Sequence, residues 1–231
     1  MIKKLSPIIV LLSCQNVYAE KSFDGVYIFT SAGQTDFSDM TTQSDINQTE
    51  SRLLTSLLNQ FAIDNPDTEL PQYTVDLSAQ ETSTSLAFGM GYIFSEHIAV
   101  EASYQYLGAV KISGQVSDSD NNSANYTATG LTSGFDLRTV LRAPIYKGFE
   151  AFINWGAILW SRETRTNYEF ANESRKTISK EDGMEVVFGA GMQYLAAKSF
   201  GASLRWEQYN INRENVDVIK ATLLYDFDIP Q

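Results

Sequence analysis

The feature that most constrains this chain is an alternation of apolar residues with small, polar or charged ones along short segments. Residues 200–207 show it most clearly, since every second residue of FGASLRWE is apolar. Successive side chains of a β-strand point to opposite faces of the sheet, so this period predicts strands with one apolar face and one polar face.

Seven other segments carry the same pattern. Six of them are residues 86–92, 98–106, 135–142, 149–157, 185–194 and 219–227. The remaining segment, at about residues 23–32, is apolar on both faces, which leaves its register open. The eight segments together predict an all-β chain with eight strands.

The links between these segments alternate in length. The short links are residues 95–97, 144–148 and 196–199. The long polar links are residues 33–81, 108–131 and 161–183, with a shorter one at 208–215. Transmembrane barrels have an even number of strands, short periplasmic turns and longer outer loops. The sequence therefore predicts an eight-stranded antiparallel transmembrane up-and-down β-barrel with both termini in the periplasm.

The N-terminus has the pattern of a secretory signal peptide. Lys3 and Lys4 precede a short apolar run, and Val17-Tyr18-Ala19 supplies small residues at the cleavage positions. We expect residues 1–19 to be the signal and residues 20–231 to form one barrel domain. The apolar run is too short for a spanning helix, which needs about 20 residues. Cys14, the single cysteine, lies within the signal, and its lipidation is the alternative interpretation.

Two alternatives exist for the apolar face, because a soluble carrier barrel would turn it inward. Large aromatic residues near both ends of the apolar faces favour lipid, since such belts lie at the headgroup level. The predicted belt residues are Tyr92, Tyr104, Tyr106, Phe149, Tyr194, Phe200, Trp206, Tyr209, Tyr225 and Phe227. The opposite faces are rich in small residues, as a narrow interior requires.

Charged residues on the polar faces would then share the barrel interior. They are Glu101, Asp136, Arg138, Arg142, Glu150, Glu185, Arg205, Glu207 and Lys220. An eight-stranded barrel has room only for side chains, and unpaired buried charges are costly. A plug of paired charges is therefore expected, with a structural or surface-interaction role. A narrow porin-like channel for small solutes or hydrophobic molecules is the alternative.

The first long link contains apolar residues at helical spacing, which stop near Asn65-Pro66. They are Leu53, Leu54, Leu57, Leu58 and Phe61. A short amphipathic helix in the first extracellular loop is predicted, either packed over the barrel or available to a surface ligand.

The signal, the eight amphipathic strands, the three tight turns and the terminal Tyr225-Asp226-Phe227 resemble the OmpA/OmpX-type outer-membrane β-barrel family. The resemblance implies a place in the cell outer membrane of a Gram-negative bacterium and recognition of the last strand by the barrel-assembly machinery. Residues 228–231 follow the aromatic residue on which many relatives end. No residues remain for a peptidoglycan-binding domain, so wall anchoring is not expected.

Catalytic and metal-binding patterns are weak. Enzymes among the relatives use a histidine near the outer rim, whereas His97 lies in a short turn, so no catalysis is expected. Residues 118–122 resemble half a calcium loop but lack its glycine and its closing glutamate. We expect no cofactor. The net charge of −11 argues against nucleic acid, and the expected partners are outer-membrane lipids and lipopolysaccharide, with a monomeric barrel.

Overall fold

The structure, a computed structural model, describes residues 25–40, 73–118, 123–170, 173–196, 199–212 and 214–227. The predicted signal peptide and the predicted loop helix at Leu53, Leu54, Leu57, Leu58 and Phe61 lie outside these residues. Within the described ranges, no helix has the length and the apolar character needed to cross a membrane.

Nine strands and one short helix make up the described chain. The strands are β1 Gly25–Asp36, β2 Tyr73–Gln80, β3 Thr82–Ser95, β4 Ile98–Asp118, β5 Ser123–Tyr146, β6 Phe149–Phe170, β7 Glu173–Leu195, β8 Phe200–Ile211 and β9 Glu214–Asp226. A single turn of 3-10 helix, Ser38–Met40, follows β1.

Eight of the strands close into an antiparallel ring. Neighbours in sequence pair from β3 to β9, and β1 closes the ring by pairing with both β3 and β9. The ninth strand, β2, precedes β3 in nearly the same direction and pairs with the C-terminal part of β4, residues 111–118. The predicted eight-stranded barrel is confirmed, and closure leaves no unpaired edge in the ring.

The register around the ring fixes the tilt of the strands. Val26 of β1 aligns with Tyr92, and this row continues strand by strand to Asp217, which aligns with Asp36 of β1. One circuit therefore advances ten residues along β1, from Val26 to Asp36. With ~3.3 Å per residue and ~4.8 Å between strands, this stagger corresponds to a tilt of about 40°, which is typical of membrane barrels.

Glycines on the inner face accommodate large side chains of the neighbouring strand. Tyr27 aligns with Gly91, and a Cβ atom on Gly91 would lie 2.2 Å from Tyr27 Cζ. Phe152 aligns with Gly191, where a Cβ atom would lie 2.5 Å from the Phe152 ring. Gly91 and Gly191, which alternate with apolar residues in the sequence, are therefore places where an aromatic ring packs against the wall.

The first strand explains its own ambiguous pattern. Tyr27 and Phe29 point inward and are buried, whereas Ile28 points outward. Both faces are apolar because the outer face belongs to the apolar outer wall of the ring and the inner face joins an apolar cluster. Alternation alone could not set the register here.

The described residues of the predicted long polar links are largely strand, so that expectation was wrong. β4 to β7 are 21, 24, 22 and 23 residues long, whereas β1, β8 and β9 have 12, 12 and 13. We call residues 73–80, 108–118, 123–132, 161–170 and 173–183 the extension, because they continue the sheet beyond the ring. Outside lipid, a strand needs no apolar outer face, so polar hairpins were mistaken for loops.

A β-bulge marks the point where β4 enters the extension. The register with β5 shifts between Tyr106 and Gly108, and Gly108 adopts a φ of 104°. Below the bulge the odd-numbered side chains point inward, and above it the even-numbered ones do. The inner face of the extension is apolar, with Leu77, Tyr126 and Ala128 buried together.

Candidate functional site

The barrel interior is the candidate functional site, and apolar side chains fill the end that carries the short turns. These buried residues are Tyr27, Phe29, Ile93, Ala99, Val140, Phe152, Leu195 and Leu224. They come from the inward positions of seven strands. We call them the lower apolar cluster.

Next to this cluster, Glu101 of β4 and Arg205 of β8 form a two-pronged ion pair across the interior. Arg205 Nη1 lies 2.6 Å from Glu101 Oε2, and Nη2 lies 2.8 Å from Oε1. The Tyr27 hydroxyl donates a third hydrogen bond to Glu101 Oε1, at 2.7 Å. Both charged side chains are almost completely buried. Paired geometry of this kind is the strongest that an arginine and a carboxylate can adopt.

Aromatic rings hold the guanidinium of Arg205 on its other sides. Its Cζ atom lies 4.9 Å from the centre of the Phe152 ring and 5.4 Å from that of Phe29. Ser203 Oγ accepts a hydrogen bond from Arg205 Nε at 3.2 Å. The cation is therefore compensated by ring faces as well as by Glu101.

A second ion-paired group is centred on Arg138 of β5. Its guanidinium donates to Asp136 on the same strand and to Glu207 on β8, on the far side of the interior. The Tyr209 hydroxyl donates to Glu207 Oε2 at 2.6 Å. Lys220 Nζ of β9 lies 2.6 Å from the same oxygen. One carboxylate, that of Glu207, thus binds three donors from three strands.

Neutral side chains extend this second group toward β4. Lys220 Nζ donates to Gln105 Oε1 at 3.1 Å, and Gln105 Nε2 donates to Ser103 Oγ at 2.8 Å. Ser103 in turn donates to Asp136. The hydrogen bonds therefore form a closed circuit that ties β4, β5, β8 and β9 together.

A third ion pair lies at the end with the short turns. Arg142 Nη1 is 3.7 Å from Glu150 Oε2, and Gln193 Nε2 donates to the same oxygen at 2.6 Å. Arg142 Nη2 also donates to the backbone carbonyl of Ser95 at 3.2 Å. This pair joins the first two short turns of the barrel.

The charges in these three groups balance. Glu101, Asp136, Glu150 and Glu207 supply four carboxylates, and Arg138, Arg142, Arg205 and Lys220 supply four cations, all buried. A further buried carboxylate, Asp226, lies at the end of β9. Each ion of the groups has an oppositely charged partner, which offsets much of the cost of removing it from water.

A second apolar cluster lies on the other side of the ion pairs, toward the extension. Its buried members are Phe37, Leu107, Ile158, Trp160, Val187, Tyr209, Ile211, Val216 and Val218. Tyr209 belongs to both neighbourhoods, because its ring packs in this cluster and its hydroxyl contacts Glu207. We call these residues the upper apolar cluster.

Eight of the nine predicted interior charges lie in this site, and Glu185 does not. Glu185 aligns with Ile158 near the upper end of the ring and is only partly buried. It takes part in none of the three groups. Glu185 occupies an inward position of β7, but it lies nearer the extension than the ion pairs do, at the level of Ile158.

The predicted aromatic belts need one correction, at Tyr209. This residue is fully buried and points inward, so it is not a belt residue. Its position two residues after the inward Glu207 could have shown this from parity alone. Of the remaining belt residues, Tyr106 is half-buried, and the others are exposed on the outer wall: Tyr92, Tyr104, Phe149, Tyr194, Phe200, Trp206, Tyr225 and Phe227.

Sequence reasoning missed the neutral members of the site. Tyr27 could not be assigned to the interior because the register of the first strand was open. Ser103, Gln105 and Gln193 are neutral, so a search for charged residues does not find them. Parity along β4 and β7 places Ser103, Gln105 and Gln193 on the inner face. What parity could not show is which of them reach the carboxylates.

The described part of the chain holds no group of three or more His, Cys, Asp or Glu side chains that could bind a metal ion. His97 lies in the turn between β3 and β4, where its Nε2 atom is 3.3 Å from Glu96 Oε1 and its side chain is exposed. It is therefore at the end of the barrel remote from the extension.

Comparison with known families decides the kind of protein. The family model described as the OmpA-like transmembrane domain matches residues 22–225. The chain belongs to this family. An OmpA-like transmembrane domain places the protein in the outer membrane of a Gram-negative bacterium. The outward apolar side chains of the ring are thus its lipid-facing wall. A comparison with curated proteins finds no significant match.

Three solved barrels are similar in fold to this OmpA-like chain. The N-terminal β-barrel domain of Pseudomonas aeruginosa OprF has a TM-score of 0.45 at 10% identity, covering 89% of this chain and 100% of that one. Pseudomonas aeruginosa OprG has a TM-score of 0.44 at 10% identity, covering 89% and 98%. Yersinia pestis Ail, crystallised with the heparin analogue sucrose octasulfate, has a TM-score of 0.41 at 12% identity, covering 88% and 99%.

Proposed function

We propose that this protein is a closed outer-membrane barrel with a structural or surface-interaction role, which carries the extension at the cell surface. The observation that carries the proposal is the ion-paired interior between two apolar clusters. Eight buried charges neutralise one another; the Glu101–Arg205 pair and the Arg138 group lie between the lower and upper apolar clusters, and the Arg142–Glu150 pair lies at the end with the short turns.

Closure follows from how these layers divide the interior. A conducting path needs connected water. In this interior, however, Arg138 is hydrogen-bonded to Glu207, and Arg205 is hydrogen-bonded to Glu101. A passing ion would have to break ion pairs that are strong because they are buried in a medium of low dielectric constant. It would then have to cross two layers of apolar side chains.

The extension supports a role at the surface. Short turns of outer-membrane barrels are periplasmic, so the opposite end, where β4 to β7 continue, is extracellular. The outer leaflet brings lipopolysaccharide next to this end. We include outer-membrane lipids and lipopolysaccharide, and the assembly machinery during biogenesis, among its partners, and a monomer as its state.

We also propose that the barrel is not an enzyme. His97 lies in a periplasmic turn with Glu96 as its ion-pair partner, far from the extracellular residues. The buried carboxylates of Glu101, Asp136, Glu150 and Glu207 are held in ion pairs by cations.

Conductance in planar bilayers tests closure. The wild-type protein is expected to give no steady single-channel current. The double variant Glu101→Ala/Arg205→Ala removes the central pair and should raise conductance, which shows that insertion is detected. Glu163→Gln, on the outer face of the extension, is the matched control and should behave as wild type. A steady current from the wild-type protein would show that it is a channel.

Labelling of single-cysteine variants tests which end is outside. A membrane-impermeant maleimide should label Gln115→Cys in the extension on intact cells. It should label Lys147→Cys, in the turn between β5 and β6, only after lysis. The reverse result would place the extension in the periplasm and would remove the proposed surface role.

A further inference from the structure

The lipid-facing wall of the barrel carries a groove of about 370 Å³ near the turn between β7 and β8. It crosses β1, β9 and β8, the region where the first and last strands close the ring. Its lining includes Thr30, Phe88, Tyr194, Phe200, Ala202 and Tyr225. This groove has no part in the ion-paired interior.

Small outward side chains among large ones create the groove. Thr30 aligns with Leu223, and Leu223 aligns with Ala202, so two small residues lie on either side of one leucine. In the same row, Phe88 flanks Thr30 and Tyr194 flanks Ala202. The row is thus deep at Thr30 and Ala202 and raised at its two ends.

The lining is apolar even where the sequence has a hydroxyl. Thr30 Oγ1 donates to the backbone carbonyl of Ala87 at 3.3 Å, so the Thr30 methyl group remains for the groove. Near the turn, the rings of Phe200 and Tyr225 pack edge to face with centres 5.0 Å apart. This contact gives the groove a fixed aromatic rim at its periplasmic end.

We propose that the groove binds one acyl chain of a phospholipid from the periplasmic leaflet. Its walls are lipid-facing side chains, so it opens to the hydrocarbon and not to water. It runs from the periplasmic turn, at Phe200 and Tyr194, toward Phe88 in the middle of the wall. The tyrosines Tyr194 and Tyr225 lie at the end where the lipid headgroup would be, and the deeper lining is apolar. A phospholipid at the membrane boundary is likewise polar at its headgroup and apolar along its acyl chain.

The size of the groove favours a lipid chain over a second copy of the protein. Its volume falls in the range of small-molecule sites, about 300–1,000 Å³. A stable protein interface needs about 800 Å² from each partner, which is far more surface than a groove of this size offers. A single flexible chain can follow the depression at Thr30 and Ala202 without such an area.

Photo-crosslinking tests the proposal. The barrel is reconstituted in vesicles of palmitoyl-oleoyl phosphatidylcholine that contain a phosphatidylcholine with a diazirine on one acyl chain. After irradiation, adducts are located by mass spectrometry. We expect adducts to concentrate at the groove beyond its share of the exposed wall. In Ala202→Trp, groove labelling should fall to the groove's share of the exposed wall, because the indole fills the depression that the acyl chain would occupy.

Ala102→Trp is the matched control, because Ala102 is an exposed alanine on the lipid-facing side of β4. It should leave groove labelling unchanged. Since both substitutions face lipid, gel mobility with and without heating should show both variants folded. Labelling spread over the wall in proportion to exposure would overturn the proposal, as would groove labelling that survives Ala202→Trp. Groove labelling below its share of the exposed wall would also overturn the proposal, because a second copy of the protein that covered the groove would exclude the lipid.

Discussion

The ring and the extension are built from the same strands, yet they place their apolar side chains on opposite faces. In β4, Tyr104 is exposed on the lipid side of the ring, and Glu101 and Ser103 point into the interior. Beyond the bulge at Gly108, Val116 points inward and Lys111 points outward. Apart from Ala99, Leu107 and Ala109, the apolar residues of β4 lie at even positions, and the bulge reverses the face to which even positions belong.

This difference shows that the surroundings, and not the strand, decide which face is apolar. In the ring, the outer face meets hydrocarbon, so polar side chains must go inside and must be paired there. In the extension, the outer face meets water, so apolar side chains gather inside as in a soluble sheet. In β4 the change coincides with the bulge, whereas in β5 it occurs without a register shift against β6, from the outward Phe135 and Leu137 to the inward Tyr126 and Ala128.

The largest expected effect comes from unpairing a charge inside the ring. Arg205→Met leaves Glu101 buried with Tyr27 as its remaining partner, so the free energy of unfolding should fall by about 3–5 kcal/mol. Urea unfolding in lipid vesicles, followed by tryptophan fluorescence, measures this.

The double variant Arg205→Met/Glu101→Gln is the control for that experiment. It removes both charges, so it should recover a large part of the lost stability. If the single and double variants were equally unstable, the loss in the single variant would not come from an unpaired buried charge.

A positive charge on the outer face should separate the two regions along a single strand. Leu137→Lys puts an ammonium into the lipid-facing wall of β5 and should cost about 2–4 kcal/mol. Asn125→Lys, on the outer face of the same strand in the extension, should stay within about 0.5 kcal/mol of wild type. Equal costs for the two variants would contradict the assignment of lipid and water to these parts of β5.

Truncation of the inner face should weaken the extension but leave the ring intact. Leu77→Ala removes a buried side chain from the cluster with Tyr126 and Ala128, and should cost about 2 kcal/mol. Hydrogen exchange should rise for the amides of β2 and for residues 111–118 of β4, and should be unchanged in the ring. Faster exchange throughout the barrel would show that the two regions unfold as one unit.

The smallest effect concerns Glu163 on the outer face of the extension. Hydrogen bonds from Arg165 and Lys180 hold the pKa of Glu163 below its usual value of 4.5. A lowered pKa stabilises the fold above the unfolded pKa, and this contribution is lost as the pH falls through the folded pKa. Exposed pairs contribute little, so the pH dependence should be shallow. NMR titration of the Glu163 carboxyl should show the lowered pKa, and Arg165→Met should raise it.

Much of the ring could be predicted from the sequence, because lipid imposes a strict alternation. Segments such as residues 200–207 and 219–227 show which side chains face lipid, and the charges opposite them were placed inside correctly at Glu101, Arg205 and Glu207. Pairing partners could not be predicted, since Glu101 and Arg205 lie on strands far apart in the chain. That choice depends on the stagger of the ring.

The extension was missed for a physical reason. Its outer face is polar because it meets water, so residues such as Thr127 and Asn167 gave no lipid signature. At Gly108 the bulge also reverses the inward parity without any interruption of the apolar period. The belt prediction is wrong at Tyr209. An aromatic side chain near a loop suggests a belt residue, but Tyr209 is two residues after Glu207 and therefore points inward with it.

Spin-label scanning of β4 over residues 98–117 measures which side chains face lipid, which face water and which are buried in the interior. Each variant carries one label, and its collision rates with oxygen, which enters lipid, and with a water-soluble nickel chelate are measured in vesicles. We expect oxygen access at even positions up to residue 106, low access to both reagents at odd positions below the bulge, and nickel access at odd positions above it. Nickel access at the odd positions below residue 107, or a single parity along the whole strand, would contradict it.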